Sequence, residues 1–155
     1  MKPTPLSFLI LFIALYFLGT NPVCAQEGKE QWIFVGFTKY RDALYMEKKS
    51  VSRPSPDIAW VWSLIAPSEK SKYRKEIKED LRKSKKSSKG LKYSEILNEI
   101  DCRGSKIRFL QIVYFNAQGS IIHSAASSDQ EWQIIYAGSL WQTMQSITCK
   151  NRSLP

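Results

Sequence analysis

One histidine, His123, is all that this chain of 155 residues offers for imidazole chemistry. A Ser-His-Asp triad would have to be built on it. Ser124 and Asp129 lie close by in sequence, but neither a nucleophile elbow nor an oxyanion-loop signature surrounds them. A surface histidine is the better reading. Cysteine is scarce too, at three residues, and these with one histidine do not form a zinc-site spacing. No metal or cofactor motif is present, so the chain is expected to bind neither and not to be an enzyme. Long apolar runs are also lacking. The main one, residues 6–18, is 13 residues long, where a membrane-spanning helix needs roughly 20.

That short run has the flanks of a targeting segment. Lys2 precedes it and Val23-Cys24-Ala25 follows with small residues at a cleavage position, so residues 1–25 read as a secretory signal peptide. Cleavage after Ala25 predicts one domain over 26–155, exported to the periplasm or beyond, with no transmembrane helix in the mature chain. Cys24 raises the alternative of a lipoprotein, but Asn21 and Val23 fit the acylation pattern poorly and make an outer-membrane lipoprotein the weaker reading. The mature chain keeps Cys102 and Cys149. An even count in an oxidising compartment reads as one structural disulfide, whereas a redox pair favours C-x-x-C. Closing that loop is worth roughly 4 kcal/mol in the chain-entropy model.

Charge is concentrated in one place. Residues 69–89 hold ten of the 23 Lys and Arg with four acids, so the rest of the mature chain is close to neutral. Within this stretch Tyr73, Ile77 and Leu81 recur at helical spacing, with Ser68 as the expected N-cap and Glu79 four residues before Lys83. From Lys83 to Gly90 no apolar residue is present, and a mobile loop is expected. Elsewhere the pattern is of strands. Residues 32–37, 41–53 with a bend at Lys48-Lys49, 58–65, 93–102, 106–115 and 120–124 carry it, with a proline-rich turn at 53–57. Ser139-x-x-Gln142 is a capping box opening a helix whose stripe is Leu140, Met144 and Ile147. The predicted fold class is α+β: a single meandering antiparallel β-sheet packed by a C-terminal α-helix, with a basic helical insertion at 69–90 and one disulfide.

Aromatic and acidic residues admit two uses each. In residues 58–65, Trp60, Trp62 and Leu64 share one face and Ala59, Val61 and Ser63 the other. The five tryptophans suit a ligand groove or core packing, and a small sheet's need for buried area favours the core. Glu95, Glu99 and Asp101 could pair as catalytic carboxylates, but alternating acids in a strand are usually solvated, and Asp101 is placed to hydrogen-bond locally beside the disulfide.

The order Trp32, Tyr40, Ser50-Val51, Trp60-Val61-Trp62, Ile100-Asp101-Cys102, Tyr114, Gly119, Trp132, Ile135, Gly138-Ser139 and Cys149 resembles the surface-adhesin protein E family of exported bacterial proteins. The resemblance spans nearly all of the mature chain. It implies a mainly antiparallel sheet with a helix, a disulfide between the two cysteines, and a non-enzymatic role in adhesion to host surfaces. Ala137 departs from the proline usual before Gly138, and the lysine-rich stretch is longer and more basic than the family pattern implies.

The basic stretch is the best candidate site. Lys75, Lys78, Arg82, Lys83, Lys85, Lys86 and Lys89 form a cation cluster suited to a polyanion such as a sulfated glycan or an anionic headgroup, or to a host surface protein. Export makes nucleic acid an unexpected partner, and a solvated insertion with no partner is the plainer alternative. The reading from another class is a periplasmic enzyme or inhibitor with a pocket. Polar groups converging on His123 would favour it, whereas an apolar pocket favours a binding module.

Overall fold

Alternating apolar residues and β-branched runs produce a single antiparallel sheet in the computed structural model, which describes residues 32–127 and 130–150. The expected signal segment, its cleavage site and Asp129 lie outside those residues. The strands are β1 (Trp32–Phe37), β2 (Ala43–Glu47), β3 (Ser52–Ser55), β4 (Ile58–Ala66), β5 (Leu91–Asp101), β6 (Lys106–Asn116), β7 (Ile121–Ala126) and β8 (Gln133–Ile134). Helix α1 (Lys72–Lys83) is inserted between β4 and β5, and α2 (Leu140–Lys150) ends the described chain.

The sheet runs β1-β2-β4-β5-β6-β7. A 3-10 turn at Lys48–Ser50 splits one long segment into β2 and β3, which share the same edge of β4, matching the bend expected at Lys48-Lys49. The expected turn at 53–57 is shorter than anticipated, because Ser52–Ser55 pairs with β4 and only Pro56-Asp57 turns. Pro54 is tolerated there because an edge strand leaves one row of backbone positions without a ladder partner.

Both helices lie on the same face of the sheet. Ala59, Val61, Ser63 and Ile65 of β4 point to that face and are buried, each opposite an inward residue of β5. Helix α2 covers one end, where Met144 packs with Met46, Val61, Ile100 and Ile107. Helix α1 covers the other, with Ile77 and Leu81 against Leu91 and Tyr114. A smaller cluster of Leu44, Ile65 and Ile96 joins the two. The β5 ladder is shifted between Leu91 and Tyr93, which lets Leu91 face inward out of alternation. Gly36 stands at a shift in the β1 ladder, and a Cβ there would come within 2.6 Å of Leu140 Cδ2, so α2 sits down on β1 only over glycine.

The disulfide joins Cys102 to Cys149 and so ties the end of β5 to the last turn of α2. Beside it, Asp101 Oδ1 accepts from the backbone N–H of Arg103 (3.0 Å) and Gly104 (2.7 Å), the local role expected of that side chain. The capping box opens α2 with a small difference: Ser139 Oγ accepts from Gln142 N–H at 3.2 Å, but Gln142 Oε1 reaches the N–H of Gly138 (2.7 Å), one residue ahead of the cap.

Candidate functional site

Helix α1 exposes its charge because its apolar stripe is fully used. Ile77 and Leu81 are 1% and 0% exposed, and the hydroxyl of Tyr73 meets Ser94 Oγ at 2.8 Å. Burial raises the Tyr73 phenol well above its ordinary value, the bond to Ser94 opposing it only in part. The remaining positions of the helix are Lys, Arg, Glu and Asp, of which Arg74 reaches back to Leu91 O (3.3 Å) and Asp80 neighbours the Tyr114 phenol, while the others face outward.

The N-cap is Ser71 and not Ser68. Ser71 Oγ accepts from Arg74 N–H at 2.9 Å. Ser68 is committed elsewhere: its hydroxyl donates to Tyr40 O (2.9 Å) and its N–H to Asp42 Oδ1 (2.9 Å), which pins the β1–β2 loop to the approach of the helix. At the other end the expected mobile loop begins with defined hydrogen bonding. Lys85 N–H donates to Arg82 O (3.0 Å) and Lys86 N–H to Leu81 O (2.8 Å), with Lys85 at φ +53°. That is a Schellman ending with a lysine at the left-handed position usually given to glycine.

Two flanks of α1 differ in charge. On one, Lys75, Lys78, Arg82 and Lys86 surround a shallow depression with Glu79 and Ser88, four cations against one acid. On the other, Lys72, Lys75 and Lys83 alternate with Glu76, Glu79 and Asp80, three cations against three acids. Only the first flank presents a net field. Glu79 bonds Arg82 through two hydrogen bonds of 2.6 and 2.9 Å, not Lys83 as its spacing suggested. That pairing holds the Glu79 carboxyl below its ordinary value. Of the seven residues singled out in the sequence, then, Lys75, Lys78, Arg82 and Lys86 come together, Lys83 lies on the balanced flank, and Lys85 and Lys89 belong to the turns that follow.

Most of the tryptophans do not fill the core as expected. Trp141 packs against it from α2, but Trp60 and Trp62 project from the sheet face opposite the helices, where Trp60 is 37% exposed. Phe34 and Phe37 of β1 stand among the exposed apolar residues, with Phe34 against Tyr45 at 5.4 Å between centroids. Period two assigns the residues of β4 to faces correctly. Which face receives the helices is decided by the smaller, aliphatic set, which lets a helix approach closely.

Glu99 also departs from expectation. It is buried at 7% exposure, accepts from Trp60 Nε1 at 3.1 Å, and forms an ion pair with Arg108. The Arg108 guanidinium in turn lies 4.7 Å from the ring centre of Trp132. This cluster fastens β4, β5 and β6 on the open face, a link across strands that periodicity does not reveal.

His123 lines a cavity of about 230 Å³ with Asp80, Lys83, Ser84, Tyr114 and Ser127. Burial raises the Tyr114 phenol to about 12, with the neighbouring Asp80 carboxylate adding to the effect. Polar groups therefore do gather near His123, but in a narrow space whose carboxylate and phenol are engaged with each other. A wider cavity of about 480 Å³ between the helices is lined mainly by apolar side chains and lacks His123. Among the described residues no group of His, Cys, Asp and Glu could hold a metal ion, and no helix is long and apolar enough to cross a membrane.

Residues 32–150 match the family described as Surface-adhesin protein E. No curated protein sequence gives a significant match. Two solved structures of Haemophilus influenzae protein E have a similar fold. The selenomethionine form has a TM-score of 0.53 at 13% identity, covering 79% of this chain and 88% of that one. Crystal form II has a TM-score of 0.52 at 12% identity, covering 81% and 92%. Identity at this level bears on the fold alone.

Proposed function

Because the chain belongs to the surface-adhesin protein E family, we propose that it is an exported, non-enzymatic binding module whose ligand-binding surface is the cationic flank of α1. The observation that carries this reading is the convergence of Lys75, Lys78, Arg82 and Lys86 on one depression with a single acid. Four cations within reach of one another attract a chain of anions more strongly than the same number scattered among carboxylates. The ligand class that fits is an extended polyanion, a sulfated glycan before an anionic lipid surface, since the depression is shallow and lies along the helix. Arg82 remains oriented by Glu79, so it offers a fixed guanidinium beside three mobile ammonium groups.

Retention on immobilised heparin tests this directly. The wild-type chain is expected to elute at higher salt than a Lys75→Ser, Lys78→Ser, Lys86→Ser variant, because exposed ion pairs are screened by salt. Identical elution of the two proteins in a low-salt gradient would refute the assignment.

A further inference from the structure

The gap between the two helices holds a cavity. Its floor is Ile65, Ile96, Phe109 and Ile112, inward residues of β4, β5 and β6, and its walls are Tyr73 of α1 and Trp141 of α2. Three strands spaced about 4.8 Å apart make a trough roughly 10 Å across. The volume, about 480 Å³, falls in the range of roughly 300–1,000 Å³ typical of small-molecule sites. The polar groups at its edge are engaged: the Tyr73 hydroxyl with Ser94 (2.8 Å) and the Asp42 carboxylate with Thr38 Oγ1 (3.0 Å) and Ser68 N–H (2.9 Å). The interior thus makes no polar demand on an occupant, and an apolar body suits it.

The mouth is charged. Lys39, Asp42, Lys72 and Glu76 stand there, and three of the four have partners. Asp42 is held as above, and Lys72 pairs with Glu76 at 3.4 Å. Lys39 has only the face of Tyr40, 5.0 Å from its ammonium to the ring centre, and no carboxylate partner among the described residues. Asp42 likewise lacks a cationic partner among the described residues, but it is 2% exposed with its carboxylate turned to Thr38 and Ser68. Lys39 is therefore the unpaired charge open to solvent at the lip of the apolar trough, and it complements a molecule with a chain and an anionic head.

We propose that the inter-helix cavity binds a free single-chain carboxylate amphiphile, its chain along the floor and its carboxylate at Lys39. This site is independent of the cationic flank, and failure of heparin binding leaves it untouched. The test is titration of the whole purified chain with dodecanoate, dodecanol and dodecylammonium, each below its aggregation range, read by tryptophan fluorescence and by calorimetric stoichiometry. One saturable equivalent of dodecanoate is expected, bound about tenfold more tightly than dodecylammonium, a difference of about 1.4 kcal/mol. Lys39→Glu, on an exposed loop and outside the core, should reverse that order, and Ile112→Phe should abolish binding of all three by filling the trough. No saturable binding, equal affinity for the three heads, or an order unchanged in Lys39→Glu would each overturn the proposal. The Lys39→Glu variant decides it even if Ile112→Phe fails to fold.

Discussion

The two helices share one face of one sheet and are held there by different means. Helix α2 is fastened at several points. The Cys102–Cys149 bond fixes its last turn, Arg53 Nη2 donates to Thr148 O at 2.7 Å near its C-terminus, and Met144 is fully buried beneath it. Helix α1 is held by a narrow stripe, Tyr73, Ile77 and Leu81, and by polar links from Arg74 to Leu91 O (3.3 Å) and from Asp80 to the Tyr114 phenol, with no covalent tether, and spends most of its remaining surface on charge. A small sheet needs one helix to close its core, and the second, once its stripe is buried, is free to carry a function. The contrast also locates the cavity, which exists because the two helices leave the middle of the sheet uncovered between them.

Breaking the tether of α2 should have the largest effect. A Cys102→Ser, Cys149→Ser variant is expected to lose about 4 kcal/mol of stability in denaturant unfolding while keeping heparin retention, since the cationic flank belongs to the other helix. Leu81→Ala, the corresponding blow to α1, should cost about 3 kcal/mol and weaken heparin retention together with stability, because the flank loses its support.

Alkaline titration separates the helices next. The folded Tyr114 phenol, raised to about 12, lies above an ordinary unfolded value near 10. Its stabilising share is therefore complete below about pH 10 and is lost as the pH rises from about 10 to 12. Circular dichroism of a Tyr114→Phe variant should show a shallower loss across that window than the wild type. Smaller effects belong to the ends of α1. Ser71→Ala should cost about 1 kcal/mol by removing the N-cap. Lys85→Gly should add about 0.5–1 kcal/mol by relieving the left-handed lysine, measured as a rise in unfolding midpoint.

Much of the fold is legible in the sequence, for physical reasons that can be named. The strands and the stripe of α2 follow from local periodicity, and the two cysteines after Cys24 have one way to pair with each other. The N-cap of α1 does not follow, because Ser68 and Ser71 are equivalent in composition, and only the loop at Tyr40 and Asp42 shows that Ser68 is already bonded. Nor does the exposure of Trp60 and Trp62, because alternation reveals which residues share a face, not which face the helices choose. The candidate site is half visible. Its cations can be counted in sequence, but their division between flanks depends on where Glu79, Glu76 and Asp80 fall around the helix. The cavity leaves no trace, since Ile65, Ile96, Phe109 and Ile112 look like any core residues until the gap above them is seen.

The division between flanks is tested most directly by the salt dependence of heparin affinity in two matched triple variants. One replaces Lys75, Lys78 and Lys86 by serine and the other replaces Lys83, Lys85 and Lys89. Each cation that meets a sulfate group displaces bound counterions, so its removal lowers the slope of log affinity against log salt by about one. A field confined to the first flank predicts a slope reduced by about two to three in the first variant and by less than about one in the second. Equal reductions in both, or a larger one in the second, would contradict it.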